Sequence, residues 1–192
     1  MVRTIQKRTL ETRARLIAAA EELIDANGFE AMRVEEVVLR AGTAKGTFFA
    51  HFPDKDALMD LIIGRRIDAL LDKLTAMKPP VSVQEFTETL MPLCELMTSE
   101  RYVFDIVLRY SGAAAQEEIG AIAMTFGRQV DMLESWLQNS RFRRDIPVEL
   151  AAEGVHSFMI QAMALKFCAL HNSTSIEDRL GPYLEAWLEP KP

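Results

Sequence analysis

Apolar residues recur along this chain at the three- and four-residue spacing of an α-helix, and no window alternates apolar with polar residues as a half-buried strand does. Leu16, Ala19, Ala20 and Leu23 share one face of a helix expected over about 10–26. Asn27-Gly28 ends it, because Gly accepts the left-handed conformation that follows a helix, and Phe29 then reads as a core anchor. Two short helices are expected next: one over 34–41, with Val34, Val37 and Val38 facing inward, and one over about 44–50. Gly42-Thr43 separates them and Pro53 closes the second. Asp54 is placed to cap a longer fourth helix, in which Leu58, Leu61, Ile62, Leu70 and Leu71 are the candidate buried residues. The spacing dictates an all-α chain.

After a break at Lys78-Pro79-Pro80, Ser82 and Glu85 form a capping box opening a helix to about residue 97. Ser99 is placed to cap another, reaching Tyr110, which Ser111-Gly112 stops. Long helices are expected over about 114–138 and, from Pro147, to residue 170, with a polar, basic loop over 139–145 between them. Ser175 and Asp178 begin the last, over 176–188. About nine helices result. The short ones come first, which divides the chain into a small three-helix domain over 1–54 and a helical bundle over 55–192.

The total charge of −6 argues against nucleic acid until its distribution is considered. Residues 1–15 carry Arg3, Lys7, Arg8, Arg13 and Arg15 against Glu11 alone, a net +4, while residues 61–192 are net acidic. Attraction to phosphates needs local charge, not a basic total. The apolar run over 16–20 is cut by Glu21 and Glu22, which argues against a signal peptide. The apolar stretch over 155–170 carries His156, Gln161 and Lys166, which argues against a membrane span. A cytoplasmic protein with two free thiols, Cys94 and Cys168, is expected.

Residues 34–52, VEEVVLRAGTAKGTFFAHF, are the informative segment. Two short helices joined by a Gly-containing turn make a helix-turn-helix, in which Val37, Ala41 and Phe48 seal the angle and the second helix is left outside. Such a helix fits a major groove about 12 Å wide, with its N-terminal residues at the bases. Here those are Thr43, Lys45 and Thr47. By pattern alone, a helical hairpin serving only as core remains an equal alternative.

From about residue 9 to 65, the first-helix AA..L, the GFEA turn, AGxxKGTF, the HF pair and PxKxAL run without a gap. In these residues the chain resembles the DNA-binding domain of the tetracycline-repressor (TetR/AcrR) family. The resemblance covers about a third of the chain. It implies that Lys45 and Thr47 contact bases or phosphates, that His51 lies near the DNA backbone, and that Lys55 meets a phosphate. Three positions depart from the family pattern. Ala44 replaces a frequent serine cap, leaving Thr43 to cap instead. Phe49 replaces a tyrosine whose hydroxyl meets a phosphate. Arg33 replaces a threonine cap and offers a phosphate ion pair in its place.

One recognition helix reads too few base pairs for a unique site, whereas a two-fold pair reads successive grooves about 34 Å apart on a palindromic operator. The resemblance implies a homodimer whose seam is a four-helix bundle of the last two long helices. Val155, Phe158, Ala162, Leu165 and Ala169 would face it from one, and Leu180, Leu184 and Trp187 from the other, with the core of the single chain as the alternative for any one of them. The body is also rich in adaptable apolar side chains; Met97, Tyr102, Phe104, Met124, Phe126, Trp136, Met163 and Phe167 are candidates to line a pocket for a small-molecule effector. Binding there would shift the fourth helix and release DNA. The expected function is that of a ligand-released repressor.

Enzymatic readings fail on spacing. AGTAKGT has Lys before Gly and no strand before it, so it is no phosphate loop. Glu153 and His156 make one E-x-x-H where a di-iron bundle needs two, and neither G-x-S-x-G nor H-E-x-x-H occurs. No metal or other cofactor is expected. Two alternatives stay open: a helical dimeric interaction protein with a degenerate DNA reader, and a transcriptional activator of the same fold.

Overall fold

A computed structural model describes residues 2–112, 119–138 and 140–189, with the backbone alone for 2–6. Among these residues the elements are α1 (Val2–Asn27), α2 (Val34–Arg40), α3 (Lys45–Phe49), α4 (Lys55–Thr75), α5 (Val83–Met97), α6 (Arg101–Tyr110), α7 (Ala121–Gln138), α8 (Val148–Lys166) and α9 (Ile176–Leu188). No strand occurs among them. The chain is all-α.

α4 organises the whole. It starts where Asp54 accepts a hydrogen bond from the Ala57 amide at 2.8 Å. It buries Leu58, Met59, Ile62, Ile63, Ile67 and Leu71, each contributing roughly 1.5–3 kcal/mol of apolar burial. Its longest contact is with α7, and it also meets α5, α6 and α1. The α4–α7 crossing is close because Gly64 has no side chain: a Cβ there would lie 2.6 Å from that of Ala121. At the same crossing Asp60, almost fully buried, accepts from the amides of Ala121 (2.9 Å) and Ile122 (3.0 Å), so a side chain of α4 caps the start of α7. Arg128 of α7 adds ion pairs to Asp68 and Asp72. α8 and α9 are locked similarly: Trp187 lies where a Cβ on Gly154 would be, and its indole N–H donates to the Ala151 carbonyl at 3.0 Å.

Several expected boundaries move. α1 begins at Val2 rather than near residue 10. Arg8, Thr9 and Leu10 are exposed, so no apolar periodicity marks that part of the helix. The helix expected over 114–138 begins at Ala121, where Asp60 caps it; residues 114–118 lie outside the described residues. Ser99 does not cap α6. Its hydroxyl turns back to the Leu96 carbonyl, and Glu100 takes the N-cap position without a side-chain cap bond. α8 stops at Lys166, not residue 170, and a turn over 167–174 follows. Ser82 and Ser175 do cap, accepting from Glu85 and Asp178. No described helix is long and apolar enough to cross a membrane.

Candidate nucleic-acid interface

The α2–α3 corner is built from backbone outward. α2 ends in a Schellman arrangement: Thr43 N–H donates to the Val38 carbonyl (2.9 Å) and Gly42 N–H to that of Leu39 (3.2 Å), with Gly42 at φ +63°. Any other residue would be strained there. Beneath the corner, Phe48 is fully buried, its ring tilted against that of Phe52 at 5.6 Å, in the same core as Val37, Val38, Ala41 and the α1 face (Leu16, Ala20, Leu23). Arg13 of α1 covers Phe52 at 4.5 Å. These contacts fix α3 while its outer side stays open.

Lys45 and Phe49 project from that open side, and Gly46 leaves a gap between them, with nothing within 4 Å of where its Cβ would be. Lys45 Nζ is paired with Glu35 Oε1 of α2 at 2.5 Å, and this partner holds the Glu35 carboxyl below its usual range. Thr47 and His51 are half-buried at the base of α3.

The expected Thr43 cap is not made, and Arg33 and Lys55 both bond the Glu30 carbonyl. Thr43 caps nothing: its hydroxyl is buried without a partner, and α3 starts on Ala44 with no side-chain cap. Arg33 likewise cannot cap α2, since its guanidinium only donates; it bonds the Glu30 carbonyl at 2.9 Å. Lys55 does not project outward. It donates to the same carbonyl at 3.1 Å and lies 4.5 Å over the Tyr102 ring, where burial and then Arg33 lower its pKa.

In the body, Met97, Met163, Phe104, Phe126 and Trp136 are core, Tyr102 and Phe167 are half-buried, and Phe104 stacks on Phe167 at 5.5 Å. Met124 is 60% exposed, so it lines no interior. Its side of α7 faces away from α4 and α8. A hollow of about 470 Å³ lies elsewhere, between α5 and α9, lined by Val83, Gln84, Thr87, Glu177, Asp178 and Glu185 among others.

The seam candidates divide between core and surface. Val155, Ala162, Leu180 and Leu184 are fully buried within the single chain, because α8 and α9 pack on each other and on α7 and α5. Phe158 and Trp187 are half-buried against one another, with ring centroids 5.8 Å apart. Leu165 is half-buried, and Ala169 lies beyond the end of α8, exposed.

Sequence reasoning missed two buried polar atoms without partners, one on α7 and one on α8. Gln129 is 1% exposed; its amide N–H meets Met159 Sδ at 3.1 Å and its Oε1 has no partner. His156, packed edge-on against Phe126 at 4.8 Å, has a buried Nε2 without a partner. A lone Gln in the apolar face of α7 was the available signal. Burial lowers the His156 pKa from its ordinary 6.5, so it is neutral at pH 7. The unfolded chain takes up this proton below about pH 6.5 and the folded chain only at lower pH, so stability should fall as pH drops from about 7 to 5. His156→Phe should flatten that slope in thermal melts. An unchanged slope would contradict the assignment.

A three-helix corner with one outward helix, carried on a helical body, defines the class of helix-turn-helix proteins. Residues 16–62 match the family model of bacterial regulatory proteins, tetR family. A Bacillus subtilis (strain 168) relative, the uncharacterized HTH-type transcriptional regulator YvdT, is 31% identical over 110 residues. That match spans 56% of each chain, so this chain covers little more than half the length of that relative. Thermus thermophilus FadR, a TetR-family transcriptional repressor in complex with lauroyl-CoA, shares the fold at TM-score 0.64 and 18% identity, over 91% of this chain and 92% of that one. RolR in complex with resorcinol does so at TM-score 0.60 and 19% identity, over 96% and 91%.

Proposed function

We propose that this chain is a DNA-binding transcriptional repressor that acts as a homodimer and is released from a palindromic operator by a small-molecule effector. The observation that carries it is α3: held rigidly from beneath, open above, and bearing Lys45 at its N-terminal end. Residues 1–54 act as the reader and 55–192 as the sensing and pairing body. In the reader, Lys45, Thr47 and Phe49 face the groove, with Thr43, Ala44 and His51 beside it. Arg33 and Lys55 each spend one donor on the Glu30 carbonyl and keep others that a phosphate can take.

The dimer reading shifts to the outer strip of α8 and α9, where Ser157, Gln161 and Ala186 are exposed beside half-buried Phe158, Leu165 and Trp187. Small residues on such a strip allow close helix packing. The effector reading is supported by the unpaired Gln129 Oε1 and His156 Nε2 beside Phe126, since buried polar atoms without partners are rare. It is supported also by the ligands held in FadR and RolR.

The test is a titration of the full chain against the DNA flanking its own gene, at several salt concentrations, with sedimentation to give the mass. A twofold-symmetric footprint is expected, with affinity falling on the order of a thousandfold between about 50 and 200 mM salt. A strictly monomeric chain, or one indifferent to DNA sequence, would overturn the reading.

A further inference from the structure

The turn between α1 and α2 hangs on a carboxylate from the body. Gly28, at φ +88°, presents the next two amides to one side, and Glu100 accepts from both: Phe29 N–H to Oε1 at 2.7 Å and Glu30 N–H to Oε2 at 2.8 Å. The fit leaves no space for a side chain at position 28, where a Cβ would lie 2.7 Å from Oε1. The Glu30 carbonyl is taken in turn by Arg33, just before α2, and Lys55, the first residue of α4. The turn is therefore gripped by the body through its amides, and by one residue of the reader and one of the body through its carbonyl.

The same junction is held from its far side. Thr98, 1% exposed, receives Lys166 of the last turn of α8: Nζ donates to its carbonyl at 2.9 Å and to Oγ1 at 3.1 Å. Lys166 is exposed, and these hydrogen bonds of its ammonium end on Thr98. Next to it, Phe167 stacks on Phe104 of α6, and Arg101 covers that ring at 5.5 Å.

We infer that Glu100 is a positioning residue for the DNA reader, and that Lys166, through Thr98, sets where Glu100 stands. The three residues 98–100 then link the end of α8 to the turn that carries α2 and α3, by a route separate from α4. A shift of the α8 end, such as an effector between α7 and α8 would produce, reaches the reader along it. The regulatory consequence rests on the repressor reading; the mechanical link does not.

The experiment is amide hydrogen exchange on the full chain, without DNA or effector. Glu100→Ala should speed exchange at Phe29 and Glu30 by about tenfold or more, since both amides lose a charged acceptor. Glu100→Gln, with one acceptor oxygen, should release one amide and retain the other. The deciding variant is Lys166→Met, which keeps the apolar stem and touches neither amide. It should speed the same two amides several-fold, on the order of the loss of one local contact. Lys166→Arg should restore them, and Leu16 in the α1 interior should not change. Thr98→Val, which removes the Oγ1 acceptor and keeps the shape, gives a second reading. Wild-type rates at Phe29 and Glu30 in Lys166→Met and Thr98→Val would overturn the link. A wild-type chain that ignores DNA while these amides respond would instead overturn the repressor reading alone.

Discussion

Lys45→Ala is expected to weaken binding to the preferred DNA site at least about tenfold. Lys45 is the one cation at the N-terminal end of α3, the end that meets base edges when such a helix lies in a major groove. Its pairing with Glu35 lies at the surface, so phosphate or a guanine edge can displace the carboxylate readily. The companion Glu35→Gln should therefore strengthen binding modestly, by removing a competitor and a like charge from the DNA face. Titrations against matched and mismatched sites separate two roles. If Lys45 reads a base, the matched site alone loses affinity; if it meets a phosphate, both lose equally and the salt slope drops by about one. Unchanged affinity in Lys45→Ala would remove α3 from the interface.

Asp60→Ala should lower stability by roughly 3 kcal/mol, because it leaves the Ala121 and Ile122 amides without an acceptor, and each such loss costs about 1–3 kcal/mol. For a chain of this size the melting temperature should fall by about 6–12 °C, compared at equal protein concentration. Asp60→Asn keeps one acceptor oxygen and should lie between. The effect is large because the carboxylate joins two helices at their closest approach, where Gly64 and Ala121 already touch. A melt unchanged by Asp60→Ala would mean that water or another group satisfies those amides equally well.

Asp60 also illustrates what a sequence can and cannot disclose. The helix-turn-helix was legible because its determinants are local: Gly42 between two short apolar-spaced runs, a single buried Phe48, and Asp54 capping the next helix. The body helices were legible by the same periodicity. Periodicity reports that a face is buried and not what buries it. Val155, Ala162, Leu180 and Leu184 could thus be read for a dimer seam or for the core of one chain, and α8 and α9 bury them within one chain. Cap geometry was misjudged at Thr43, whose hydroxyl turns inward, and at Ser99, which bonds backward along the chain. The contacts of Asp60 and Glu100 were invisible, since a carboxylate meeting amides some sixty or seventy positions away leaves no local pattern.

The indole of Trp187 seated in the notch of Gly154 has a further consequence. With no slack between them, the last two helices behave as one stiff plank. A push on either tilts both, and a neighbouring molecule resting on that plank would feel a rotation, not a local dent.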